Sequence, residues 1–439
     1  MKLLNFIACC LVLCLPASIP SRSEGASADD KSSPASPEPG IDHGFVTRQG
    51  NKLFLNGKEF RAIGVNIPHL HAAYFGTWHH DAQIYGSDEK ARQAIIDAIV
   101  DAEKSGAAFI RFFADPGYPV DTDKLYIKDP AGYWQLMDEL FALCHKHHLR
   151  LVPSLSAVGF WHSYCQEPTQ AILDPASKTS RLTRKYITEF VTRYKDDPTI
   201  LMWELQNESM LAADVDFKGS RLMPAALFSP DQQPVRTVAT REDSLTWDMV
   251  LRIYREQAAF IKSLDPNHMV ESGDAGVRIE CASRRETFPN FKYRPDSWKE
   301  YLADTIASQP DPLDLYSLHW GGSYRPIGEV ERTVDKSWRD KPFMDVYREM
   351  IRAVRASGKP VYIGELSQQK PGYPDDPHAV WTRAFIDMME AEGGSLASLW
   401  VWHFPWQPKL TVSGETQPEL MARIAAFNLT YAQMRGKSH

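Results

Sequence analysis

Eight short apolar stretches, separated by amphipathic ones, constrain the fold of this chain more than any other feature. They are Arg61–Asn66, Ala108–Phe113, Arg150–Leu155, Ile200–Leu205, Met269–Ser272, Leu313–His319, Val361–Gly364 and Ser398–Trp402. Each is brief and rich in β-branched or aromatic residues, the pattern of a strand buried on both faces. The intervening segments have helical periodicity. In Ser87–Gly106 the apolar Ala91, Ile95, Ile96, Ile99 and Val100 recur at helical spacing, Asp88 and Glu89 occupy the first turn, and Gly106 is a stop signal. Gly132–His148, Lys178–Tyr194, Thr246–Leu264, Lys341–Ser357, His378–Glu392 and Glu419–Gln433 repeat the pattern, and Pro295–Ser308 does so more weakly. Eight strands alternating with helices predict an α/β chain folded as a (β/α)8 TIM barrel with long βα loops. The alternative, a doubly wound open sheet, usually carries a Gly-rich phosphate loop after an early strand, and Gly64-Val65-Asn66 is not one. Ahead of the barrel, Leu53-Phe54-Leu55 and Lys58-Glu59-Phe60 flank Asn56-Gly57, which predicts an N-terminal β-hairpin with a type I′ turn.

The N-terminus has a different composition. Met1-Lys2 is weakly basic, and Leu3 to Leu15 is apolar apart from Asn5 but too short to span a bilayer. Residues 1–19 are therefore expected to be a signal peptide. Residues 20–42, rich in Ser, Pro, Asp and Gly, are expected to be a flexible linker, and residues 43–435 the catalytic barrel. The expected location is secreted or periplasmic. Cys9, Cys10 and Cys14 leave a lipid anchor open, although none has a small residue before it and Leu three before it. No later apolar run is long enough for a transmembrane segment. A formal net charge of −7 gives no electrostatic reason to seek nucleic acid. Beyond the leader only Cys144, Cys165 and Cys281 remain, so at most one intramolecular disulfide can form, and without a CxxC pair a zinc site is not expected.

Barrel chemistry sits where strands end. The fourth strand ends Trp203-Glu204-Leu205-Gln206-Asn207-Glu208, and the seventh runs Val361-Tyr362-Ile363-Gly364-Glu365. Cleaving a glycosidic bond requires one carboxylic acid to protonate the leaving oxygen and a second carboxylate to attack the anomeric carbon or activate water. Glutamates at the ends of two strands across one barrel mouth can supply both.

In these motifs the chain resembles glycoside hydrolase family 5. The resemblance covers Phe45 to Gln433, and the phrases Phe54-Leu55-Asn56-Gly57-Lys58 and Trp203-Glu204-Leu205-Gln206-Asn207-Glu208 look most like the endo-β-1,4-mannanase branch. It implies a retaining, endo-acting hydrolase of β-linked polysaccharide or oligosaccharide, without a cofactor or metal, expected as a monomer. Within the resemblance, Glu208 matches the acid/base and Glu365 the nucleophile. Asn207 matches the residue that bonds the sugar 2-hydroxyl, and Arg111 the strand-two arginine, expected to lower the nucleophile's pKa. His319 matches the strand-six histidine, and Trp402 the strand-eight aromatic beneath the reacting sugar. Asn66 and Trp320 join the expected substrate-binding set. The family often has His-x-Tyr on strand six; here the run is His319-Trp320-Gly321, and Tyr324 is close enough in sequence to substitute for that tyrosine.

Structural roles compete with several of these expectations. Arg111 can pair with Glu204, and Trp400 can fill the barrel. Trp161, Trp78, Tyr74 and Trp406 can pack loops or line subsites. His69, His71, His79 and His80 are expected to be exposed or to contact sugar. Alternative functions are an endo-β-1,4-glucanase, an exo-acting β-glycosidase, a non-catalytic sugar-binding barrel and a metal-dependent hydrolase. The long segment Ser209–Asp243 is expected to wall an open groove, with Lys218, Arg221 and Arg236 reaching hydroxyls.

Overall fold

The computed structural model describes residues 44–76, 84–116, 122–156, 160–219, 236, 238–290, 294–320, 343–367 and 379–432. Three short strands come first: β1 (Thr47–Gln49), β2 (Lys52–Leu55) and β3 (Lys58–Phe60) form an antiparallel sheet. Asn56 and Gly57 turn β2 into β3 with φ of 50° and 76°, the two positive angles that a type I′ turn demands. Val46, Leu53, Leu55 and Phe60 pack with Phe109, Val152, Leu201 and Leu396 from the starts of barrel strands. The hairpin thus plugs the end of the barrel opposite the strand C-termini.

The eight barrel strands are β4 (Ala62–Asn66), β5 (Phe109–Phe113), β6 (Arg150–Ser156), β7 (Met202–Gln206), β8 (Met269–Glu271), β9 (Tyr316–Trp320), β10 (Val361–Ser367) and β11 (Leu396–Trp400). All neighbours are parallel, in the order β8-β7-β6-β5-β4-β11-β10-β9. The seam between β8 and β9 is stitched from outside the ladder. Asp314 N donates to Val270 O at 2.8 Å and Val270 N to Asp314 Oδ2 at 2.9 Å. The expected (β/α)8 barrel is therefore the fold.

Helix boundaries follow local capping chemistry. In helix Asp88–Lys104 the Ser87 side chain accepts from Lys90 N, Asp88 and Glu89 favour the positive helix start, and Gly106 takes φ 78° just past the end. Its Ala91, Ile95, Ala98, Ile99 and Ala102 are buried against the barrel.

The last strand is displaced. It spans Leu396–Trp400, not Ser398–Trp402, so Trp402 lies beyond its end. The three cysteines Cys144, Cys165 and Cys281 are free thiols.

Candidate active site

Arg111 is the hub beneath the barrel mouth. It extends from β5 and is fully buried, yet every face of its guanidinium has an acceptor. Nε and Nη2 hold Glu204 on β7 in a fork, at 2.6 and 2.7 Å. Nη1 donates to Asn66 Oδ1 and to Glu365 Oε1, each at 3.0 Å, and Nη2 also donates to Asn207 Oδ1 at 2.7 Å. Burial works against the Arg111 charge, but Glu204 and Glu365 outweigh it and hold its pKa above the usual value. Burial likewise opposes charge on Glu204, and the Arg111 charge and hydrogen bonds reverse that, so Glu204 is held low. Neighbouring Glu271 at the end of β8 is raised well above the usual carboxylate value by burial and then by the Glu204 charge.

Above this layer lie Glu208, His319 and Glu365. His319 Nδ1 stands 3.1 Å from Glu208 Oε1 and 3.4 Å from Glu365 Oε1. One donor atom from each of the three residues falls within 4.8 Å of the others, so the two carboxyl groups are close. Glycosidase carboxyl pairs separated by roughly 5–5.5 Å suit direct attack on the sugar, whereas roughly 6.5–9.5 Å leaves room for an attacking water. This cleft is in the first class. The side chain of Glu208 is 23% exposed and that of Glu365 11%, so both reach the opening. A glutamate–histidine–glutamate trio is also a donor set that a transition metal can use. Here His319 Nδ1 faces the two carboxylates, and Glu365 Oε1 also accepts from Arg111.

Two backbone features set this geometry. Glu208 has φ 54° and ψ 34°, a left-handed conformation unusual for a residue with a long side chain, which throws it out of the line of β7. At Gly364 an added Cβ would stand 2.8 Å from His319 Nε2, so glycine before Glu365 lets strands β9 and β10 bring histidine and carboxylate together. The Gly-Glu pair seen in the sequence thus has a steric cause.

Electrostatics depart from expectation at Glu365. Burial raises its pKa, His319 lowers it, the Glu208 charge raises it and Arg111 lowers it, with a net rise. Arg111, which gives Glu365 one N–H bond, lowers it as expected, but burial and the Glu208 charge outweigh that effect. Burial also opposes charge on His319, yet Glu365 and the Glu208 hydrogen bond carry its pKa upward.

Several residues expected to bind substrate have other work. Asn66 and Arg111 are buried at 1% and 0% exposure and cannot touch a ligand in the cleft. The Asn66 amide is used up inside the barrel: Nδ2 donates to Gly364 O at 3.0 Å and to Ser398 Oγ at 3.1 Å, and Oδ1 takes the Arg111 bond. Asn207 is half-buried, its Oδ1 fixed by Arg111, and its Nδ2 has no partner among the described residues.

Trp402 is not a sugar platform: it has no exposed surface, and its Nε1 donates to Ala98 O at 3.0 Å on helix Asp88–Lys104. Trp400 takes the rim position. Ser398, two residues earlier on β11, points into the barrel at Gly364 O, so Trp400 shares that face one step nearer the mouth. It is partly exposed, and its Nε1 donates to Gln407 Oε1 at 2.8 Å. The missed signal was the strand end: a shift of two residues preserves the facing but exchanges the tryptophans.

Trp161 and Tyr74 are buried packing residues, and Tyr74 lies under Arg92. His69 and His71 are fully buried, not exposed. Arg236 is tied to Asp243, not aimed at a substrate. Trp320 closes β9, but its side chain lies outside the described residues, as do Tyr324, Trp78, His79, His80 and Arg221.

Comparison with known proteins gives a consistent answer. The sequence profile of Cellulase (glycosyl hydrolase family 5) matches residues 160–404, more than half of the chain. The chain is similar to mannan endo-1,4-beta-mannosidase 7 of Arabidopsis thaliana, at 24% identity over 75% of this chain and 70% of that one. It is also similar to mannan endo-1,4-beta-mannosidase 8 of Oryza sativa subsp. japonica, at 25% identity over 73% and 79%. In three dimensions it resembles the endo-1,4-beta-mannanase of Rhizomucor miehei, with a TM-score of 0.56 at 15% identity, covering 88% of this chain and 99% of that one. With the carboxyl pair of a retaining glycosidase at the mouth of the expected barrel, the chain belongs to glycosyl hydrolase family 5, the O-glycosyl hydrolases whose profile it matches.

Proposed function

We propose that the chain is a retaining endo-β-1,4-mannanase in which Glu208 is the acid/base and Glu365 the nucleophile. The observation that carries the chemistry is the closeness of Glu208 and Glu365, both within reach of His319 Nδ1. Arg111 fixes Glu365 Oε1, and among the described residues Oε2 has no partner, which leaves it to attack the anomeric carbon. In the first step Glu208 gives its proton to the glycosidic oxygen as that bond breaks and the Glu365–sugar ester forms. In the second, Glu208 takes a proton from water, the water oxygen bonds to the anomeric carbon, and Glu365 leaves as the carboxylate. Two inversions retain the β configuration. Asn207 Nδ2 is the donor offered to the sugar 2-hydroxyl, and Trp400 the apolar floor. Mannan as substrate is supported by the plant relatives, which are mannan endo-1,4-beta-mannosidases.

Export of the chain belongs to the same proposal: residues 1–19 as leader and 20–42 as tether, supported by their composition. No helix among the described residues is long and apolar enough to cross a membrane. The test of substrate is reducing-sugar release and early product size on soluble mannan beside mixed-linkage glucan. Rapid viscosity loss with a ladder of manno-oligosaccharides supports the proposal. Turnover of glucan alone, or a single small product from the first minutes, contradicts it.

A further inference from the structure

The left-handed backbone at Glu208 has to be imposed by its surroundings, because a long side chain gains nothing from that conformation by itself. Three groups of the turn 208–212 are bolted to one neighbouring loop, the segment that follows β8. Glu208 N donates to Gly273 O at 2.9 Å. Met210 N donates to Asp274 Oδ1, also at 2.9 Å. Leu211 O accepts from Arg278 Nε at 3.0 Å and Nη2 at 2.7 Å.

Two side chains bond the turn's backbone, Arg278 and Asp274, and Asp274 is fully buried. Its own place is set from three directions. Oδ2 accepts from the Tyr254 hydroxyl on helix Trp247–Leu264, and its N–H donates to Ser272 Oγ at 3.2 Å. Gly273 before it takes φ 78°, and a Cβ there would lie 2.0 Å from Gln206 O, so the loop lies directly against the end of β7. A carboxyl this enclosed is held for a reason. Burial pushes it up to about 7 against the hydrogen bonds from Tyr254 and Met210, and the charges of His319 and Glu208 both reach it.

We propose that Asp274 is a positioning residue for the acid/base: its carboxyl fixes the Met210 amide, and through that turn aims Glu208 at the leaving oxygen. The proposal rests on Glu208 being the acid/base. It assigns a function to the loop after the fifth barrel strand.

The distinguishing property is dependence on the leaving group. Proton donation matters for an unactivated oligosaccharide and hardly at all for a dinitrophenyl glycoside of the same sugar, whereas a purely structural role affects both alike. The experiment compares kcat/KM on this substrate pair for Asp274→Ala, Asp274→Asn, Tyr254→Phe and Glu208→Gln in the full chain. Asp274→Ala is expected to lose about 10²-fold on the oligosaccharide, the effect of a small misplacement of a catalytic group, and no more than about 3-fold on the activated glycoside. Asp274→Asn keeps an acceptor for Met210 N and is expected to recover most of that loss. Tyr254→Phe loosens the carboxyl while leaving it in place, and is expected to show the same pattern at roughly 5-fold, the value of one hydrogen bond. It also carries the test if Asp274→Ala does not fold. Equal losses on both substrates, or an Asn variant no better than Ala, overturn the proposal. If Glu208→Gln is itself indifferent to the leaving group, the acid/base assignment fails. If Glu208→Gln discriminates and the Asp274 and Tyr254 variants do not, only the role of Asp274 fails.

Discussion

Two charged clusters share the barrel mouth, joined by one 3.0 Å bond from Arg111 to Glu365, and they differ in how completely they are satisfied. In the lower cluster Arg111 and Glu204 are both 0% exposed and matched in a bidentate pair, beside Glu271, whose pKa burial holds well above the usual value. In the upper one Glu208 and Glu365 share a single histidine and open to solvent. The lower cluster is a scaffold, because its charges have nothing left to give. The upper one has more carboxylate than cation, an arrangement that costs stability and supplies reactivity.

That difference is sharpened first by Glu365→Ala. Turnover is expected to fall by roughly 10⁴–10⁶-fold, as when a catalytic nucleophile is lost, while the melting temperature holds or rises because a buried carboxyl raised by its surroundings is gone. A clear fall in melting temperature breaks the distinction. Glu208→Gln comes next, with a roughly 10²–10⁴-fold loss on unactivated substrate and a smaller loss in pre-steady-state glycosylation by dinitrophenyl glycosides; equal losses contradict an acid role. Arg111→Met attacks the scaffold. It leaves Glu204 buried without its partner, so urea denaturation is expected to show a loss of roughly 3–5 kcal/mol, and an unchanged midpoint argues against the scaffold reading.

The two tryptophans divide in the same way. Trp402→Ala is expected to cost roughly 3–5 kcal/mol of stability, with the activity per folded molecule largely kept. Trp400→Ala is expected to raise KM with little change in stability. The reverse pattern restores Trp402 as the platform.

The smallest effect is in acid. His69, His71 and His162 are held neutral by burial, at about 3, about 3 and about 4. Below the unfolded value of about 6.5, the unfolded chain takes up protons that the folded chain refuses. Their contribution is therefore complete above that pH and declines as pH falls toward 4, by at most about 1.4 kcal/mol per pH unit for each histidine. His71→Phe is expected to flatten the pH dependence of the urea midpoint between pH 6 and 4; an unchanged slope contradicts it.

Much of the barrel was legible because burial on both faces writes itself into β-branched and aromatic runs, and because Ser87, Asp88 and Gly106 mark a helix by local chemistry. The convergence of Glu208, His319 and Glu365 was legible for a related reason, since strand ends in this fold share one mouth. What sequence could not carry was depth. Arg111 and Asn66 look like any polar residues on barrel strands, and only their burial and closed sets of partners remove them from the cleft. The choice between Trp400 and Trp402 turned on where β11 stops, and an apolar run does not mark its own end. The pairing of Arg111 with Glu204 was legible, and the structure has it; that it takes the whole guanidinium fork and leaves Glu365 one bond was not, because that depends on three strands meeting in space.

The most direct test of the account is to trap the covalent intermediate with a 2-deoxy-2-fluoro-β-mannosyl fluoride and identify the modified peptide by mass spectrometry. Electron withdrawal at C2 slows both steps, and the fluoride leaving group lets the first proceed, so the ester accumulates. The account predicts time-dependent inactivation with one sugar ester, carried by Glu365. An ester on Glu208, Glu204 or any other side chain would contradict it.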